Sequence, residues 1–149
     1  MKVELSKRLG FLVKDVARLY SWQFDRLARE RLGLSLAQCR LLVAIALHEG
    51  EEPPSQAELA AKLDLTPMGV TKLCDRMEAA KWLTRKPHAT DRRTNHIVLL
   101  PRARKALHEA LALGDQVTAA ALQGLSSTER QALVRALRHV HTNLTSLTT

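Results

Sequence analysis

The side chains in this sequence best suited to binding a charged partner are the cations of residues 66–105. This segment holds ten Lys or Arg residues against three acidic ones, a net charge of +7, although the whole chain carries only +8. The other thirteen cations are almost balanced by twelve acidic residues. A solvated basic face would explain the high pI but not this concentration, which is typical of a phosphate-binding surface.

Two helix starts lie shortly before this segment and at its first residues. Ser55 is followed three residues later by Glu58, a capping box in which each side chain satisfies a backbone N–H of the first turn. Thr66 and Pro67 provide the N-cap and the first position of a second helix. Apolar residues then recur at helical spacing and predict a buried stripe. That stripe comprises Val70, Leu73, Cys74 and Met77, and the opposite face comprises Thr71, Lys72, Asp75 and Arg76.

A short helix, a turn of about three residues and a second helix with a basic face predict a helix-turn-helix that reads the major groove of DNA. The two helices alone fit an ordinary helical hairpin with a solvated outer face equally well. The next stretch favours DNA, because residues 82–85 and 96–100 predict two strands around a polar, cationic tip. Arg92 and Arg93 at this tip suit the negative potential of a minor groove. We expect Asp91 to pair with Arg93 and to orient its guanidinium.

Residues 66–100 resemble the reading helix and wing of the MarR family of bacterial transcription regulators. The wing of that family carries a D-x-R signature followed by a hydrophobic strand, and here Asp91-Arg92-Arg93 precedes residues 96–100. The resemblance extends over essentially the whole chain, including its length and helix order. In two departures, Lys81 stands where a glycine commonly precedes the first wing strand, and Leu99-Leu100-Pro101 replaces the usual Leu-Thr ending.

Other helix signals divide the rest of the chain. Gly33 is expected to end the first helix, and Pro101 to begin a long helix that reaches about Leu122. Two further capping boxes are predicted. They pair Ser35 with Gln38, at the start of a helix to about His48, and Ser126 with Glu129, at the start of the last helix.

The helices at the two ends of the chain predict a second packing partner. The first carries two apolar stripes, and the last carries apolar residues from Leu133 to Leu147 at alternating four- and three-residue spacing. The resemblance implies that these helices interleave between two subunits, and a helix docked on its own domain is the alternative. The predicted fold is mainly α with a small β-hairpin wing. It is one MarR-type domain over residues 1–149, with dimerisation helices at 4–31 and 101–149 and a winged helix-turn-helix DNA-binding region at 35–100.

The candidate DNA-binding residues follow from their places on these elements. The polar face of the second helix, with Thr71, Lys72 and Arg76, is assigned to base edges and phosphates. Ser55 and Gln56 begin the first helix, where a phosphate can approach a helix N-terminus. With Arg85 as a contact to the DNA backbone from the first wing strand, the full set is Ser55, Gln56, Thr66, Thr71, Lys72, Arg76, Arg85, Asp91, Arg92 and Arg93.

These residues and the resemblance together predict a sequence-specific DNA-binding transcription regulator that binds a pseudo-palindromic operator as a homodimer. The resemblance implies a repressor, the commoner mode in the family, whose DNA binding is relieved by a small phenolic or aromatic-acid ligand. No other cofactor is expected. The alternative is a protein-interaction module that keeps the winged-helix fold and binds DNA only non-specifically.

Signatures of other functional classes are missing from the sequence. There is no phosphate-binding glycine loop, nucleophile elbow or H-E-x-x-H, and the six histidines show no metal-ligand spacing, so we expect neither an enzyme nor a metal site. Cys39 and Cys74 lie on apolar helix stripes and are predicted to be small core residues. Because no apolar run is long enough to span a membrane and the N-terminus lacks a secretory pattern, we expect a cytoplasmic protein.

Overall fold

The computed structural model of the protein describes residues 4–91 and 93–148. The chain divides into two compact units, residues 1–115 and 116–149. A short 3₁₀ helix (Leu5–Lys7) precedes the α-helices and strands of the first unit. These are α1 (Leu9–Leu32), α2 (Leu36–Ala46), α3 (Gln56–Leu63), α4 (Pro67–Ala79), β1 (Leu83–Pro87) and β2 (Asn95–Leu99), and they are followed by α5 (Pro101–Ala121) and, in the second unit, α6 (Ser127–Ser146).

The end of α1 and the starts of α2, α3, α4 and α6 are set by caps that the sequence predicts, whereas α1 begins at Leu9, later than the predicted residue 4, without a side-chain cap. Gly33 ends α1 in the left-handed conformation, at φ 67°, which glycine adopts without steric cost. Each of the three predicted capping boxes forms both of its hydrogen bonds. Thr66 caps α4 by accepting from the backbone N–H of Gly69 at 3.0 Å, with Pro67 in the first helical position. Caps of this kind are each worth about 1 kcal/mol, so the helix starts are fixed locally.

The core of the first unit lies where α2, α3, α4 and the hairpin meet. The stripe predicted for α4 is confirmed for Val70, Cys74 and Met77, all fully buried, while Leu73 keeps an intermediate exposure. Because this stripe faces inward, the polar residues of α4 face solvent. The other side chains at the centre of this core, all fully buried, are Leu41 and Leu42 of α2, Leu59 of α3, Leu83 of β1 and Ile97 of β2.

The two strands pair antiparallel, with Leu83 opposite Leu99 and Pro87 opposite Asn95. Strand β1 begins one residue later and ends two residues later than the strand predicted at residues 82–85. The hairpin is also bonded to the segment before α3, since the backbone N–H of Ile97 donates to the Pro54 carbonyl at 2.9 Å. Helix α3, a three-residue turn, α4 and this hairpin form the predicted winged helix-turn-helix.

Both units carry helices with exposed apolar side chains. In α1 the predicted stripe of Leu9, Leu12, Val16 and Leu19 is exposed, whereas Phe24 near the other end of the helix is buried. In α6, which continues through Ser146, leucines of the predicted seam are also exposed. Its leucines Leu133, Leu137 and Leu144 are between 39% and 59% accessible. Within the described ranges, no helix is long and apolar enough to cross a membrane.

Candidate nucleic-acid interface

The outer face of α4 presents cations that are free to meet a ligand. Lys72 and Arg76 are exposed on this face, as predicted. No acidic side chain in residues 4–91 and 93–148 forms an ion pair with either of them. Asp75, which shares the face, is instead paired with Arg85. The local charge of the outer face is therefore positive.

Arg85 fixes α4 against the first wing strand. Its Nη1 lies 3.0 Å from Glu78 Oε1, and its Nη2 lies 2.7 Å from Asp75 Oδ1 and 3.3 Å from the Thr71 carbonyl oxygen. Its Nε donates to Gln56 Oε1 at 2.7 Å. The Glu78 carboxylate also accepts from the Arg85 backbone N–H at 2.7 Å, and this bond, followed by the one from the guanidinium, lowers the pKa of Glu78. One guanidinium thus joins β1 to both α3 and α4.

Gln56 and Thr71 complete this network. The Gln56 side-chain amide donates to Thr71 Oγ1 at 3.1 Å, and the Thr71 hydroxyl donates to the Pro67 carbonyl at 2.9 Å. The end of α3 that meets this network is therefore held against the first turns of α4. The sequence placed Gln56, Thr71 and Arg85 in the candidate DNA interface, and the structure shows that they bind one another.

The N-terminus of α3 already holds a negative charge. The Glu58 carboxylate accepts from the Ser55 backbone N–H at 2.8 Å, and this hydrogen bond is the first cause of the lowered Glu58 pKa. The Ser55 hydroxyl in turn accepts from the Glu58 N–H. A phosphate approaching Ser55 would meet this carboxylate, so the capping box competes with the phosphate contact predicted there.

The tip of the wing is closed by Asp91 in a way that differs from our expectation. Asp91 Oδ1 accepts from the backbone N–H of Arg93 at 2.9 Å, and Oδ2 accepts from the Thr94 hydroxyl at 3.1 Å. The expected pairing with the Arg93 guanidinium is wrong, because both carboxylate oxygens face the turn that they close. The Arg93 side chain is exposed. The candidate Arg92 lies outside the described residues.

Both cysteines are confirmed as core residues. Cys39 on α2 is 3% exposed and Cys74 on α4 is fully buried. Burial raises the pKa of the Cys39 thiol to about 11 and raises that of Cys74 as well. Both thiols are therefore protonated at neutral pH and poorly nucleophilic.

A set of potential metal ligands that the sequence did not indicate lies on the flank of the wing. Glu52, His88 and His96 bring a carboxylate oxygen and two ring nitrogens within 4.8 Å of one another. They are far apart in sequence, and the bond between β2 and the segment before α3 brings them together. The expectation of no metal-ligand set was based on sequence spacing alone, which cannot detect such a cluster.

Comparison with known proteins shows which family this part of the chain belongs to. Residues 32–94, which contain the helix-turn-helix and most of the wing, match the sequence pattern of the MarR family. This is a MarR-family region. The predicted resemblance to the MarR transcription regulators is confirmed, and the MarR family is a family of regulators rather than of enzymes.

Several solved structures share the fold over nearly the whole chain. The transcriptional regulator PA3341 has 29% sequence identity and a TM-score of 0.75, covering 93% of this chain and 99% of that one. The repressor CouR bound to a 23-mer DNA duplex has 22% identity and a TM-score of 0.80, covering 95% and 97%. Bordetella bronchiseptica BpsR, whose DNA binding is regulated by 6-hydroxynicotinic acid, has 23% identity and a TM-score of 0.76, covering 95% and 98%.

Proposed function

We propose that the protein is a sequence-specific DNA-binding transcription regulator. Helix α4 would enter a major groove, and the wing tip would reach the adjacent minor groove. The observation that carries this proposal is that Lys72 and Arg76 are exposed on α4 and form no ion pair with the described acidic side chains. Arg85 fixes this helix to the first wing strand. Arg93 is the cation assigned to the minor groove.

The ten candidate residues have two kinds of role in this proposal. Lys72, Arg76, Arg92 and Arg93 are assigned to DNA directly. The others position these contacts or add to them, and they are Ser55, Gln56, Thr66, Thr71, Arg85 and Asp91. Support for DNA as the partner comes from the concentration of positive charge in residues 66–105 and from similar structures, one of which contains a DNA duplex.

A homodimer is the second part of the proposal. The exposed stripe of α1 and the exposed seam of α6 are more apolar than a surface that remains in water, so a second copy of the chain is the proposed cover. The chain is then a single MarR-type domain whose dimerisation helices occupy residues 4–31 and 101–149. Removing residues 126–149 should give an aggregated or unfolded chain, and a well-folded monomer in sedimentation would contradict this part.

We further propose repression that is relieved by a small aromatic acid. A cavity of about 480 Å³ in the first unit is lined by apolar Ile45, Ile97 and Leu107, by the cation of Arg104 and by the carboxylates of Glu51 and Glu52. Its size suits an aromatic ring, and Arg104 is the cation to which a carboxylate on that ring would bind. BpsR, a protein of the same fold, is regulated by such a ligand, 6-hydroxynicotinic acid.

The proposal is tested by selecting DNA sequences that the full chain binds from a random pool. A two-fold dimer predicts an inverted repeat with half-site centres about 10 base pairs apart, one helical turn. Selected sequences without dyad symmetry would contradict the dimeric binding mode. Salt-dependent binding with no preferred sequence would favour the alternative, a protein-interaction module with the same fold.

The effector is tested on the selected operator. Hydroxynicotinic and hydroxybenzoic acids should weaken operator binding, and Arg104→Gln should reduce this effect by more than it changes binding in the absence of the acids. An operator affinity that is the same with and without each member of the panel would contradict an aromatic-acid effector. It would leave the DNA-binding proposal standing.

A further inference from the structure

The flank of the wing brings together three side chains whose chemistry suits a metal ion. Glu52 lies in the loop before α3, His88 follows β1, and His96 lies in β2. A single oxygen, Glu52 Oε2, is 3.2 Å from His88 Nε2 and 3.4 Å from His96 Nε2. With Zn–N bonds of 2.0–2.1 Å, two ligands of a tetrahedral zinc lie about 3.4 Å apart. Both distances therefore match an edge of that tetrahedron.

His96 is oriented as a metal ligand is. Its Nδ1 contacts the carbonyl oxygen of Pro53, and since a carbonyl only accepts, Nδ1 carries the proton. Its Nε2 then has a free lone pair. Among the described residues, this Nε2 is a buried side-chain nitrogen that makes no hydrogen bond, although it faces Glu52. A backbone carbonyl that holds one ring nitrogen while the other faces a shared point is the usual support of a zinc-bound histidine.

The two histidine rings are stacked, with centroids 4.8 Å apart and planes that differ by only 22°. The Nε2 atom of each ring lies within 3.4 Å of Glu52 Oε2. We propose that Glu52, His88 and His96 bind a transition-metal dication of the Zn²⁺ type, with solvent as a further ligand. Imidazole and carboxylate are ligands that such ions accept together.

Metal binding would change the tip of the wing through His88. His88 Nδ1 accepts hydrogen bonds from the backbone N–H groups of Thr90 and Asp91, each at 3.1 Å. The neutral ring therefore carries its proton on Nε2. A metal at Nε2 moves the proton to Nδ1, which then repels those two N–H groups. Occupancy of the site is thereby coupled to the turn that Asp91 closes.

The same site joins two parts of the winged helix-turn-helix. Glu52 precedes the capped start of α3, and the two histidines belong to the wing, so a bound ion adds a tie between wing and helix-turn-helix. If the proposed function holds, the ion changes operator affinity through the orientation of the wing tip. Metal binding itself does not depend on that function.

The test measures metal binding by the full chain without DNA. The parent protein should bind one Zn²⁺ per chain, and Co²⁺ should give the visible absorption of a tetrahedral site with nitrogen and oxygen ligands. His96→Gln and Glu52→Gln should each weaken Zn²⁺ binding by at least about 100-fold, since even loss of a supporting residue costs 10- to 100-fold. His108→Gln, which removes an exposed histidine of the same unit, should bind Zn²⁺ as the parent does.

Two further readouts separate the parts of this proposal. Zn²⁺ should shift the amide NMR signals of Thr90 and Asp91 in the parent but not in Glu52→Gln. Because Glu52 is exposed in a loop, this substitution should leave the fold intact. Zn²⁺ binding that is equally tight in Glu52→Gln, His96→Gln and the parent would overturn the site. A change in operator affinity with Zn²⁺ in the parent, absent in Glu52→Gln, would support the coupling, and equal affinities with and without Zn²⁺ would overturn the coupling alone.

Discussion

Glu78 accepts two hydrogen bonds from Arg85, one from its backbone N–H at 2.7 Å and one from its guanidinium at 3.0 Å. The same carboxylate thus fixes both the middle of β1 and the direction of the Arg85 side chain. That side chain is only 17% exposed and also holds Asp75 and Gln56. This pair therefore helps to fix the placement of α4 against the wing.

Arg85→Ala should therefore lower the free energy of unfolding by about 1.5 kcal/mol. This is the lower end of the range for hydrogen bonds to charged groups, because Asp75 and Glu78 remain partly solvated. Arg85→Lys should recover only a small part, since an ammonium cannot reproduce the planar fork. Lys86→Ala removes the same charge from the exposed neighbour and should change stability by less than about 0.5 kcal/mol. Denaturant unfolding of the three variants measures these changes in the free energy of unfolding. Equal losses of stability for Arg85→Ala and Lys86→Ala would contradict the role of Arg85.

The stability of the chain should fall in acid through Glu78, Glu58 and Asp25. The folded structure lowers the pKa of each carboxyl, chiefly through a backbone N–H donated by Arg85, Ser55 and Leu36 respectively. A lowered folded pKa stabilises the chain above the unfolded pKa, near 4.5 for glutamate, and this contribution is lost as the pH falls through the folded value.

The control for acid destabilisation is Glu78→Gln. This variant should be less stable than the parent at pH 7 and should lose less stability between pH 5 and pH 3, which are about the limits of the window. Thermal unfolding across this range measures both quantities. A parent and variant with parallel pH profiles would show that Glu78 contributes nothing to the acid dependence.

Lys81 should be a point of strain that glycine relieves. It follows the last turn of α4 with φ at 59°, and its N–H donates to the Glu78 carbonyl at 2.9 Å. Lysine is disfavoured in this left-handed region, where glycine is not. Lys81→Gly should raise the free energy of unfolding by about 0.5–1 kcal/mol. Lys81→Ala removes the same charge but keeps the strain, so a gain of equal size in that variant would assign the effect to charge.

Asp91 should act on the wing through the turn and not through an ion pair. Asp91→Asn keeps an oxygen that can accept from the Arg93 N–H, whereas Asp91→Ala does not. Operator affinity should therefore fall more in Asp91→Ala than in Asp91→Asn. Equal losses of operator affinity in the two Asp91 variants, of the same size as the loss in Arg93→Ala, would support the Asp91–Arg93 ion pair that the sequence suggested. For Arg93→Ala we expect a cost of about 1–3 kcal/mol, the range for a well-placed arginine contact.

Lys72 should contribute to operator binding through phosphate. Lys72→Ala should weaken binding and reduce the slope of log affinity against log salt by about one, with the preferred sequence unchanged. Lys14→Ala, which removes an exposed charge from α1, is the control and should leave the slope at the parent value. A changed base preference in Lys72→Ala would move this residue from phosphate to a base edge.

Local chemistry predicted the elements of this fold, and contacts between distant residues decided the details of the site. The capping boxes and the stripe of α4 depend on residues within one or two turns, so the sequence alone predicted them. The network around Arg85 joins residues 29 positions apart, and the cluster of Glu52 and His96 joins residues 44 positions apart. Contacts between residues so far apart leave no periodic pattern in the sequence from which they could be predicted. Asp91 lies close to Arg93 in sequence, but its rotamer depends on a turn that composition does not specify.

The burial of Cys39 and Cys74 makes the chain well suited to site-directed labelling. With a pKa of about 11, on the order of one Cys39 thiol in ten thousand is ionised at neutral pH, and the closed core excludes bulky maleimides. A cysteine introduced on the outer face of α4 or at the wing tip would then be the one rapidly reacting thiol. A spin label or fluorophore placed there could report the distance between two reading helices without removal of either native cysteine.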